Sequence, residues 1–120
     1  MKIEPGLIKD ILQWCEENLP DDEKSWEASV LVFKGYDSKQ IVFHTKLLFD
    51  NGYLECIDVS TAGEKDFILE NLTLNGYQYL ALLKSNAWNI AKSSIRELGV
   101  IFAEAAIKAV IDKTLPTLPM

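Results

Sequence analysis

Apolar residues recur along the chain with helical spacing in some stretches and strand-like runs in others, and these alternations predict the elements. Ile8, Ile11, Leu12, Cys15 and Leu19 recur at i, i+3, i+4, i+7 and i+11 behind Pro5, whose fixed φ suits a first helical turn. A helix from there to about Asn18 is expected. Pro20 and the acidic run Asp21, Asp22, Glu23 then read as a solvated connection, and SVLVFK, Ser29 to Lys34, reads as a strand.

The most strongly punctuated stretch is Asp37 to Val59. Asp37 suits an N-cap and Gln40, three residues on, completes a capping box, so a helix begins at Ser38 and stops at Asn51 and Gly52. Ile41, His44, Thr45 and Leu48 share one face of it with Leu47 at the edge; Lys39, Phe43, Lys46 and Asp50 lie opposite. Tyr53 to Val59 and Phe67 to Leu72 are β-prone runs on either side of STAGEKD, which predicts a hairpin with Gly63 in its tip.

Thr73 N-caps a further helix in LNGYQYLALLKS, with Tyr77, Leu80 and Leu83 or Lys84 at helical spacing and Gly76 admitting close packing. A fourth helix starts near Asn86, with Trp88, Ala91, Ile95 and Leu98 as a seam. Past Gly99, residues 100–111 hold only Glu104 and Lys108 as charges, so this segment must be covered by the rest of the domain or by a second copy.

The pattern is an α+β, winged-helix-like domain over residues 1–85 (helix, strand, helix, β-hairpin wing). A C-terminal helical extension for packing or dimerisation follows at 86–114, and a frayed tail at 115–120. With 120 residues, 48% of them hydrophobic, one core is expected.

Charge changes the picture of function. The net charge of −6, concentrated in the first 34 residues, works against nonspecific attraction to nucleic acid or anionic lipid. Cys15 and Cys56 have no second cysteine or histidine at ligand spacing, so both read as reduced thiols and no metal is expected. No apolar leader or span of roughly 18 residues occurs, which points to a cytoplasmic chain with no membrane partner.

The words LIKDIL, FH before KLLFDNGYL, LTLNGYQYL and the Trp88 helix, in that order over residues 5–113, resemble the bacterial and phage family known as domain of unknown function 2513. Phe43 stands where that family usually has tyrosine, and Tyr77 where histidine often follows the glycine. The resemblance implies a winged-helix-like fold in a bacterium or prophage and assigns no active-site residues.

Candidate chemistry is sparse. His44, the single histidine, reads as a core or boundary residue with one hydrogen-bond partner, because no orienting acid or nucleophile accompanies it. Ser60 and Thr61 read as turn residues, and Asp21 to Glu23 lack the spacing and glycine of a calcium loop. The glycines form no phosphate cradle, so no cofactor is expected. Trp14, Trp26, Trp88, Tyr36 and Phe43 read as core or interface aromatics, since no basic residues are interleaved among them.

For double-stranded DNA the available surface is Lys39, Gln40, Phe43 and Lys46 on the central helix with Lys65 on the wing. The one arginine, Arg96, is far from it, and Glu64 and Asp66 flank Lys65. Two non-enzymatic readings follow. One is a DNA-binding accessory regulator dimerised through 86–113. The other is a protein-interaction module using an acidic surface and the apolar C-terminal helix.

Overall fold

The computed structural model describes residues 2–19 and 25–85. The acidic connection from Pro20, the helices and dimer contact expected over 86–113, the Trp88 seam and the tail lie outside the described residues.

Helix α1 (Pro5–Asn18) has Pro5 in its first turn and buries Leu7, Ile8, Ile11, Leu12 and Cys15. Strand β1 is only Trp26–Glu27, and a single 3-10 turn, Ala28–Val30, follows. Then come α2 (Ser38–Asp50), β2 (Leu54–Asp58), β3 (Phe67–Leu72) and α3 (Leu74–Leu83). The strands form one antiparallel sheet in the order β1-β3-β2. The described residues form an α+β fold of three helices and a three-stranded sheet.

The strand expected at Ser29–Lys34 does not form. The Asp66 carboxylate accepts the Ser29 backbone N–H at 3.1 Å and its hydroxyl at 2.5 Å, which takes the donor a ladder would have used. The chain turns there, with Leu31 N–H donating to the Ala28 carbonyl at 3.2 Å. Leu31 is buried, but Val30 and Val32 are 58% and 89% exposed. Strand propensity acts only where a neighbouring strand offers a partner, and β1 pairs β3 only at Trp26 and Glu27.

The β2–β3 hairpin forms as expected, with one irregularity. Glu55 opposes Asn71 and Cys56 opposes Leu69, leaving Glu70 as an extra residue. The bulge shifts the alternation by one, so that Phe67, Leu69 and Leu72 all reach the core.

In α3, Thr73 caps as expected, accepting the Gly76 N–H at 3.0 Å. The inward row differs from the expectation. Gly76, Tyr79, Leu80 and Leu83 are buried, whereas Tyr77 is 42% exposed. Gly76 sets this rotation, because a Cβ there would lie 2.2 Å from the Tyr53 carbonyl oxygen. With the bare glycine edge against Tyr53, Tyr77 is carried about 100° outward, one residue's share of a 3.6-residue turn.

α1 packs on both other helices and on β3, and the core lies between these helices and the inner face of the sheet. Trp14 and Trp26 meet edge to face at 5.2 Å against that core, and Tyr36 packs on it too. Among the described residues, no helix is long and apolar enough to cross a membrane.

Candidate functional site

The start of α2 is built by its own side chains. The Asp37 carboxylate accepts the Gln40 N–H at 2.8 Å, and the Gln40 side-chain oxygen accepts the Asp37 N–H at 3.0 Å. Ile41, Val42, His44, Thr45 and Leu48 face inward, and Val42 joins them although the helical wheel did not single it out. At the far end Gly52 adopts φ +81°, and the Tyr53 N–H returns to the Leu48 carbonyl at 2.9 Å.

His44 is fully buried and has two hydrogen-bond partners rather than the single one expected. Its Nε2 accepts the Glu4 backbone N–H at 2.8 Å, and Nδ1 lies 2.7 Å from the Gln40 carbonyl oxygen. A carbonyl only accepts, so Nδ1 carries the proton and the ring is neutral. Burial holds its pKa below the ordinary histidine value, against the opposing pull of the Gln40 carbonyl and the Glu4 carboxylate. This is a structural histidine.

The outward residues Lys39, Phe43 and Lys46 step by four and three, forming a row along α2. Opposite them stands the hairpin tip, whose base is tied down by Ser60 and Asp66. Ser60 Oγ accepts the Asp66 N–H at 3.0 Å, and Thr61 N–H donates to the Glu64 carbonyl at 2.8 Å. Asp66 also grips Ser29, whose carbonyl accepts the Ser38 hydroxyl at 3.3 Å. Ser29 therefore links the hairpin to the first turn of α2.

Between helix and hairpin lies an open cleft of about 560 Å³. Lys39, Val42, Phe43 and Lys46 line it from α2, Gly63, Glu64, Lys65 and Asp66 from the hairpin, and Ser29 and Ser38 complete the lining. Four of the five residues singled out in the sequence, Lys39, Phe43, Lys46 and Lys65, thus share one concavity. Gln40 does not line it, since its side chain serves the capping box.

The electrostatics are mixed. Lys46 is paired with Asp50 one turn on, both about half exposed, an arrangement that contributes little stability. Lys39 and Lys65 make no ion pair among the described residues. Burial alone would raise the pKa of Asp66, but the bonds from Ser29 and from the Phe67 N–H outweigh it and hold the carboxyl below its usual range. Its charge is therefore already engaged. Asp58, fully exposed, is also held low, first by the Ser60 side chain, then by the Ser60 N–H, with the lysines 65 and 46 adding smaller pulls.

Sequence reasoning missed Ser29 and Asp66 as the pair that ties the hairpin to the start of α2. They lie 37 positions apart, and no local pattern links them. Cys15 and Cys56 are free thiols, and burial pushes both pKa values up, that of Cys56 to about 12. Neither is an activated nucleophile. Among the described residues no three His, Cys, Asp or Glu side chains gather as a metal ion would need.

The chain belongs to the family described as hypothetical protein (DUF2513), whose model matches residues 2–101. It is similar to an uncharacterized protein of Haemophilus influenzae, with 34% identity over 79 residues that cover 65% of this chain and 67% of that one. No solved structure matches it.

Proposed function

We propose that this chain is a bacterial winged-helix protein that contacts double-stranded DNA through α2 and the β2–β3 hairpin and acts as a non-catalytic accessory regulator. The observation that carries this reading is the placement of Lys39, Lys46 and Lys65 around one open cleft in a chain whose net charge is −6. The order helix, strand, turn, helix, hairpin, with β3 between β1 and β2, supports the winged-helix arrangement. In it the 3-10 turn at Ala28–Val30 takes the place of the helix that precedes the recognition helix.

At 13 residues, α2 is about 20 Å long and fits a major groove about 12 Å wide. Lys65 on the hairpin then reaches a flanking phosphate. Dimerisation over 86–113, where residues 100–111 carry only Glu104 and Lys108 as charges, would present two such helices to one duplex.

Three lysines release few counterions, so binding is weak and falls with salt at a log–log slope of about −2 to −3. Fluorescence anisotropy on a random duplex from about 20 to about 200 mM salt tests this. Lys39→Gln and Lys65→Gln should each reduce the slope by about 1. Absence of binding at micromolar protein and low salt refutes DNA contact.

A second reading, a protein-interaction module, is supported by Leu74 and Tyr77, one turn apart on α3 and 73% and 42% exposed. Sedimentation of the wild type against Leu74→Ser/Tyr77→Ser tests it: self-association lost in the double variant supports it, and identical monomeric behaviour counts against this surface.

A further inference from the structure

We infer that Phe43 is the base-reading residue of α2 and that it recognises the 5-methyl group of a pyrimidine in the major groove. This rests on the DNA-contact reading above and adds what the helix selects.

The polar groups of the α2 face are committed elsewhere. The Gln40 side-chain oxygen accepts the Asp37 N–H, so this amide is not free for the paired bond that reads adenine. Ser38 donates its hydroxyl to the Ser29 carbonyl, and Lys46, whose half-exposed pair with Asp50 is weak enough to give way to a phosphate, supplies charge rather than a base contact. Lys39 remains, and its ammonium, a point charge on a flexible stem without arginine's planar fork, serves a flanking phosphate in this reading.

Phe43 is different. It lies between Lys39 and Lys46 on the outward row and lines the cleft, with Val42 extending the apolar floor. Its ring meets the His44 imidazole edge-on, centroids 5.3 Å apart at 76°. His44 is itself fixed by two hydrogen bonds and fully buried, so Phe43 is braced from behind. A rigid apolar surface with a cation one turn away on each side is complementary to a base methyl with a phosphate on each side. Apolar contact with the thymine methyl is an established mode of base reading. Thymine and 5-methylcytosine both present that group.

The test uses four alternating duplex polymers at low salt: poly(dA-dT), poly(dA-dU), poly(dG-dC) and its 5-methylcytosine counterpart. Each pair differs by the methyl alone. The wild type should bind the methylated member of a pair about threefold to fivefold more tightly per contacted methyl. Phe43→Ala should abolish that ratio and leave the salt slope unchanged, while Phe43→Leu, which keeps an apolar side chain, should retain part of it. A ratio in the first pair only identifies thymine, and one in the second pair only identifies 5-methylcytosine. Equal binding to all four polymers overturns the inference and leaves DNA contact standing. A ratio that survives in Phe43→Ala also overturns it, and no binding to any polymer overturns both.

Discussion

The buried imidazole of His44 accepts the backbone N–H of Glu4 at 2.8 Å across 40 positions of sequence. Glu4 is the N-cap of α1, and among the described residues no side chain caps that helix. His44 thus satisfies an N–H that a capping-box side chain would otherwise take, and it fastens the start of α1 to the middle of α2.

Acid should loosen this fastening. Burial lowers the His44 pKa below 6.5, so the unfolded chain takes up a proton that the folded protein refuses. Stability is complete above that unfolded value and falls as the pH drops through it, by at most about 1.4 kcal/mol per pH unit, until the folded pKa is reached. Urea titrations between about pH 7.5 and about pH 5 should show this loss in the wild type and a flatter profile in His44→Gln. Equal slopes in the two proteins would contradict it.

Gly76→Ala should be costly. Its methyl would meet backbone, not a yielding side chain, at 2.2 Å from the Tyr53 oxygen. The net loss should be about 2 kcal/mol or more, despite alanine's helix preference of about 1 kcal/mol. Gly52→Ala is a useful contrast, because open space surrounds that position and only the φ of +81° penalises a side chain, by about 1–2 kcal/mol. Chemical denaturation of both variants checks the order.

Replacing Asp66 by Asn should release the hairpin from Ser29. It removes the charge from the group that accepts both bonds from Ser29 and one from the Phe67 N–H, an effect of about 1.5–3 kcal/mol. The Ser29 amide should exchange faster with deuterium. Because the folded pKa of Asp66 is depressed, its stabilisation is present above the unfolded value of 3.8 and is lost as the pH falls through the lower folded value, a window separate from that of His44.

Glu64→Gln should strengthen the proposed DNA contact. Glu64 lines the cleft beside Lys65 and places a negative charge where phosphates would approach. An affinity about threefold higher at low salt, with a steeper salt slope, is the expected result of the anisotropy titration.

Tyr79→Phe should be neutral or stabilising, by up to about 1 kcal/mol. Among the described residues the Tyr79 hydroxyl is buried with no hydrogen-bond partner, and burial pushes its pKa well up. The ring itself, 4.8 Å from that of Tyr53, supplies the packing and is retained in phenylalanine. A higher denaturation midpoint, or an unchanged one, is the outcome to look for.

Elements whose ends are marked by their own residues are legible in the sequence. Asp37 with Gln40, Asn51 with Gly52, and Thr73 each satisfy or terminate a backbone within four positions, so α2 and the start of α3 follow from local rules. The run Ser29 to Lys34 was misread because its strand propensity is real but its partner is not local. Whether Val30 joins a ladder depends on a carboxylate 36 positions further on.

The same division governs the candidate site. The outward row of Lys39, Phe43 and Lys46 is a property of helical periodicity, and the hairpin is a property of two β-prone runs around a polar tip. Local chemistry along the chain therefore determined which side chains α2 and the hairpin present. Only the tertiary structure decided that the two face each other across a cleft, that Gln40 is withdrawn from it, that Tyr77 points outward and that the histidine is a fastening. Those outcomes depend on groups brought together from 37 and 40 positions apart, and such contacts leave no periodic trace in a sequence.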